Sequence, residues 1–141
     1  MDNFIKITDI TSKNHKLEKI FNREYELKYI IKESKDKRLL NSALIELEVI
    51  NSLRLVIDPE LGINIFDLGL IYDFKIEENV LFVEYTLTTI GCPLGNYIEN
   101  KIIEMVNEKK EFKNVITNLV FEPLWNMNDL PYETKLRLNF L

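Results

Sequence analysis

The chain has 141 residues, 46% of them hydrophobic and 29% charged, a net charge of −5, and only four glycines and four prolines. That composition suits one domain with a real core plus a short appendage, and it excludes long linker-like segments. No run approaches the ~18 apolar residues of a membrane span, MDNFIKITDI does not have the form of a signal peptide, and one cysteine with one histidine excludes a disulfide framework and a self-contained zinc site. A lone thiol of this kind sits most easily in a reducing cytoplasm.

Charge is unevenly placed. Residues 1–40 hold ten Lys/Arg against seven Asp/Glu, a net +3, and residues 41–141 hold eight against sixteen, a net −8. An acidic body repels phosphate, so nucleic acid is not an expected partner. The basic front is read either as a solvated helix or as an arm that docks on an acidic surface.

Along the chain, HKLEKIFNREYELKYIIKE (15–33) spaces Leu17, Ile20, Phe21, Leu27 and Ile31 for an amphipathic helix. The charged stretch at 35–41 marks a boundary, so residues 1–40 are taken as a helical extension and 41–141 as the main domain. Ser42 is the expected cap of a second helix over about 43–56, which must stop at VIDPELG, where Pro59 disfavours helical geometry at Asp58. From there the period becomes two. Residues 69–87 are expected to form a hairpin, with strands about Leu70–Ile76 and Val80–Leu87 joined through 77–79. An amphipathic helix carrying Ile98, Ile102, Met105 and Val106 follows, then a strand over 114–121. EPLWNMNDLP reads as a loop, and Pro131 can open a short terminal helix. The order helix–strand–strand–helix–strand predicts a small two-layer α+β domain, with helices on one face of the sheet.

The only cysteine lies in TLTTIGCPLGN (86–96). Pro93 suits a first helical position, which makes Cys92 the expected N-cap, where unpaired N–H groups favour a thiolate. Gly91 lets the backbone turn beside it, and Thr86, Thr88 and Thr89 offer hydroxyls. The residues alone leave a functional thiol and a packing cysteine both open. Nucleophilic catalysis is disfavoured because the body lacks a histidine base, and thiol–disulfide chemistry within the chain lacks a second cysteine. Transient metal or cluster ligation, or contact with a partner, remains. A cluster commonly needs about four ligands, so one cysteine per chain requires help from a second protomer, a client or a small thiol.

Three segments, VIDPELGINIFDLGLIYDFKI (56–76), VEYTLTTIGCPLGNYI (83–98) and VFEPLWNMNDLPYETKLRLNFL (120–141), resemble the SufT/PaaD-type metal–sulfur cluster assembly factors. The resemblance is carried by Asp58-Pro59-Glu60, by Asp67-Leu68-Gly69-Leu70, by Thr86 through Cys92-Pro93, and by Pro123-Leu124-Trp125, where Leu124 separates the proline from the tryptophan. It implies the fold of cluster-scaffold domains, a non-enzymatic role in maturing iron–sulfur proteins, and Cys92 as the reactive cysteine. A transient iron–sulfur cluster is then the only group expected, with none tightly bound. The implied partners are assembly proteins and client apoproteins, together with a homodimer. The alternatives are an adaptor that recruits clients without holding iron, and an accessory subunit of an oxygenase. Among the supporting residues, Asp58 is either a turn-former or a site acid, and Glu60 either a solvated charge or a site acid. Asp67 either bonds the turn's backbone N–H groups or faces the cysteine, and Trp125 is a packing or partner-contact aromatic.

Overall fold

The computed structural model describes residues 14–91 and 95–139, in the order α1 (His15–Glu33), α2 (Lys37–Leu53), β1 (Ile71–Glu77), β2 (Val80–Tyr85), α3 (Gly95–Lys109), β3 (Asn114–Leu119), a single 3-10 turn (Met127–Asp129) and α4 (Tyr132–Asn139). It is the expected α+β fold. The three-stranded sheet has the order β1-β2-β3, with β1 and β2 antiparallel and β2 and β3 parallel.

Helix α1 begins where the Asn14 side chain accepts a hydrogen bond from the Leu17 N–H at 3.2 Å, satisfying one of the first-turn donors. Asn14 is itself buried, and its amide donates to the Tyr72 hydroxyl at 3.3 Å, tying the start of the helix to β1. The inner face of α1 buries Leu17, Ile20, Phe21 and Leu27 in the same core as Ile50, Leu53, Leu81, Val83 and Ile102. The front helix therefore shares the core of the main domain.

The boundary expected at 35–41 is narrower, and the second helix begins earlier than Ser42 suggests. Asp36 is its cap, accepting from the N–H groups of Arg38 and Leu39 at 2.9 and 3.3 Å. The first turns of α2 are largely exposed, so the helix extends into KRLLN without an apolar stripe to announce it. Ser42 lies within α2 on its exposed side.

Glu78 and Asn79, with φ of 50° and 62°, form the two-residue turn between β1 and β2, the conformation that matches the twist of paired strands. A register shift between Ile71 and Asp73 marks a bulge, which explains why Ile71 and Tyr72 are both buried although they are neighbours. Strand β2 ends at Tyr85 rather than Leu87, and just beyond it the Thr86 N–H donates to the Leu70 carbonyl at 2.8 Å, in register with the Ile71–Tyr85 pair. Strand β3 ends at Leu119, two residues short of the expected 121. One face of the sheet packs on the helices through Phe74, Leu81 and Val83. The other is an open groove of about 300 Å³ that includes Asp73, Lys75, Phe82, Glu84 and Ile116.

Candidate functional site

Parallel pairing puts the C-terminal ends of β2 and β3 together, and antiparallel pairing adds the N-terminal end of β1. The segment that precedes β1, the loop that follows β2 and the chain that follows β3 consequently meet at one end of the sheet. Hydrogen bonds lock them there. Besides the Thr86–Leu70 bond, the Val120 N–H donates to the Tyr85 carbonyl at 2.8 Å, the Trp125 indole N–H donates to the Leu68 carbonyl at 2.7 Å, and the Tyr72 hydroxyl donates to the Pro123 carbonyl at 2.8 Å. The segments around Asp58, Asp67, Thr86 and Trp125, far apart in sequence, thus occupy one end of the fold.

Asp58 is buried, and its Oδ1 accepts from the backbone N–H groups of Glu60 and Leu61 at 2.8 and 3.1 Å. That is the turn-forming role. Gly62, at φ 69°, returns its N–H to the Asp58 carbonyl at 2.8 Å, so the DPE turn closes on itself. Glu60 is exposed on this turn.

Among the described residues Asp67 is bonded by side chains rather than by the turn's backbone N–H groups, and the expectation that it faces Cys92 falls outside the described residues. Its Oδ1 accepts from Arg54 Nε at 3.1 Å. Its Oδ2 accepts from the Asn64 amide at 3.0 Å and from Arg137 Nη1 at 3.3 Å. Its own N–H donates to Asn64 Oδ1 at 2.9 Å, so the turn is closed by a side chain rather than by backbone N–H groups reaching the carboxylate. Arg54 also pairs with Glu24 of α1 through both Nη atoms and lies over the Phe66 ring at 4.8 Å. Asp67 therefore joins the ends of α2 and α4 and, through Arg54, reaches α1. Sequence reasoning passed over Arg54, Arg137 and Asn64. The available signal was Arg54 itself, a charge inside the apolar run SLRLVI.

Burial opposes ionisation of Asp67, but the Asn64 amide and the two guanidiniums outweigh it and hold its pKa below the ordinary carboxylate value. On Arg54, hydrogen bonding to Glu24 outweighs burial and pushes the pKa up. A carboxyl whose pKa is depressed by folding contributes stability above its unfolded pKa, and that contribution fades as pH falls through the folded value. Asp67→Asn is thus expected to lower unfolding free energy at neutral pH by about 1–3 kcal/mol, the cost of a charged hydrogen-bond partner removed from a partly buried pair. The difference from wild type should shrink as pH is lowered from about 4 downward. Urea titrations at pH 7 and below pH 4 check both points.

Thr86 is fully buried, and its hydroxyl has no hydrogen-bond partner among the described residues. Thr88 is half-buried and Thr89 exposed. Trp125 is half-buried and packs on the core, with its N–H used internally. Cys92 and Pro93 lie outside the described residues, so the N-cap geometry expected for them stays an expectation. Among the described residues no group of three or more His, Cys, Asp or Glu could hold a metal ion, and no helix is long and apolar enough to cross a membrane.

Residues 46–116 match the model of a family described as iron–sulfur cluster assembly protein. They span the second half of α2, the DPE and DLGL segments, the hairpin, the threonine–cysteine loop, α3 and the first half of β3. The chain is 37% identical over 97 residues to an Fe-S protein maturation auxiliary factor of Porphyromonas gingivalis, covering 68% of this chain and 92% of that one. It is 38% identical over 85 residues to the Fe-S protein maturation auxiliary factor SufT of Staphylococcus aureus, covering 60% and 97%. Among solved structures, a domain of unknown function from Bacillus anthracis superposes with a TM-score of 0.67 at 30% identity over 72% of this chain and 98% of that one. A conserved hypothetical protein from Thermotoga maritima gives 0.56 at 36% identity over 66% and 90%. With half of its residues inside the family model, and the motif-bearing segments gathered at one end of the same fold, this chain belongs to the iron–sulfur cluster assembly protein family.

Proposed function

We propose that this protein is a non-enzymatic maturation factor for iron–sulfur proteins, holding a cluster briefly as cargo through the Cys92 thiolate. The observation that carries the reading is the Thr86 hydroxyl, buried and without a partner among the described residues, at the strand end that leads into the cysteine loop. An unpaired buried hydroxyl costs about 1–3 kcal/mol, a cost that a hydrogen bond to a thiolate or cluster sulfur in this loop would offset. One thiol cannot complete a cluster's ligand set, so a second protomer or a client supplies the rest. Release is then ligand exchange: a client thiol gives up its proton and binds iron, the Cys92 sulfur leaves and takes a proton, and no electrons change hands.

Native mass spectrometry after anaerobic reconstitution with iron and sulfide tests this reading. Wild type should acquire a cluster-sized mass on a dimer, Cys92→Ala should remain apo, and Thr86→Val should retain less cluster while unfolding no more easily than wild type. Apo protein in every sample would overturn the carrier reading. It would leave the adaptor reading, which the exposed apolar side chains of the same loops favour.

A further inference from the structure

Residues 55–70, 86–91 and 119–131, the segments joined by the hydrogen bonds above, contain five acids and no lysine or arginine. Asp58 is engaged within the fold and Asp67 is paired with Arg54 and Arg137, while Glu122 is exposed. Lys16, whose ammonium reaches the Glu122 carbonyl at 3.5 Å, is paired with Glu84 at 2.6 Å. The same segments leave large apolar side chains in water: Ile90 is 69% exposed, Leu124 56% and Ile57 46%. A single exposed leucine needs no explanation, but several on interlinked loops at one end of a fold mark a binding surface.

The charge selects the occupant. Nucleic acid and acidic protein surfaces would be repelled, and in the apo protein a second copy, with no cluster to bridge the two chains, would set the same acids against themselves. We propose that this end of the sheet docks a segment of a different protein in which apolar anchors are flanked by lysine or arginine. The inference rests on the maturation reading for the identity of that protein, as a client or assembly component, but the binding itself requires no cluster.

The test is fluorescence anisotropy on the full-length apo chain, using a labelled synthetic peptide that alternates leucine with arginine. Two control peptides carry glutamate for arginine or serine for leucine. The leucine–arginine peptide should bind, with affinity falling as salt is raised, and both controls should bind more weakly. Ile90→Ser combined with Leu124→Ser should weaken binding by about tenfold or more, as loss of central anchors does. Glu122→Lys should weaken it further, whereas Leu44→Ser, at an exposed position of α2, should leave it unchanged. All of these positions are exposed, and circular dichroism confirms that the variants fold. Equal affinity for the serine control, or an unchanged double variant, overturns the proposal. So does a wild-type dimer in sedimentation that Leu124→Ser dissociates, since a second copy would then cover this end. Because the peptide assay uses apo protein, failure of cluster loading and failure of docking are separately visible.

Discussion

Gly69→Ala should lower the unfolding free energy by about 2–5 kcal/mol, one of the two largest effects expected of a single substitution in this chain. Two costs add. Gly69 sits at φ 75°, where a side chain costs roughly 1–2 kcal/mol. An added Cβ would also lie 2.6 Å from Leu130 Cδ2 and 3.0 Å from Leu17 Cδ1. Both leucines are fully buried, so neither can swing into solvent, and overpacking of this kind costs about 1–3 kcal/mol. The glycine also donates its N–H to the Phe66 carbonyl at 3.1 Å, within the turn that positions Asp67. Urea unfolding followed by circular dichroism gives the loss directly, and an unchanged midpoint would mean that the close approach to Leu17 and Leu130 is absent in solution. Gly62, also at positive φ, has nothing within 4 Å of its would-be Cβ. Gly62→Ala should therefore cost only the conformational part, which makes it the control for the packing part.

The hairpin, the front helix and the order of elements are legible because each is written in local periodicity. Alternation from Leu70 to Ile76 gives a strand, and spacing of three and four from Leu17 to Leu27 gives a helix. The start of α2 is not legible by that rule, because Lys37–Asn41 faces water and carries no stripe. Two polar residues competed for the cap, and Asp36 prevails over Ser42 because nothing in between stops a helix. The partners of Asp67 are hidden for a different reason. Arg54 and Arg137 lie 13 and 70 residues away, and only the packing of α2 and α4 onto the turn brings them close. A carboxylate set between apolar Phe66 and Leu68 could be inferred to need partners, but not which ones. The meeting of the DPE, DLGL, threonine and tryptophan segments follows from strand pairing, which the hairpin announces only for β1 and β2. The parallel placement of β3 beside β2 fixes where Trp125 arrives.

The second large effect concerns the front helix. Its Leu17 and Leu27 are fully buried in the same core as Ile50, Leu53 and Leu81, so Leu17→Ala and Leu27→Ala should each cost about 2–5 kcal/mol. A solvated arm would lose nothing measurable from either change. Small domains have only about 5–15 kcal/mol in total, so a chain starting at residue 34 should lose cooperative unfolding rather than behave as a trimmed but intact domain. Leu17 is also where this prediction meets the first. Its Cδ1 is one of the two atoms that an alanine at 69 would strike, so Leu17→Ala opens part of the space that Gly69→Ala needs. The two substitutions together should therefore destabilise less than the sum of their separate costs, with a coupling of about 0.5–3 kcal/mol. Leu27→Ala, on the same helix but not among the atoms nearest the Gly69 Cβ position, should add to Gly69→Ala without coupling. Strict additivity in both pairs would place α1 away from the DLGL turn. Coupling confined to Leu17 would establish that the front helix packs directly on the segment that orders the family's motif.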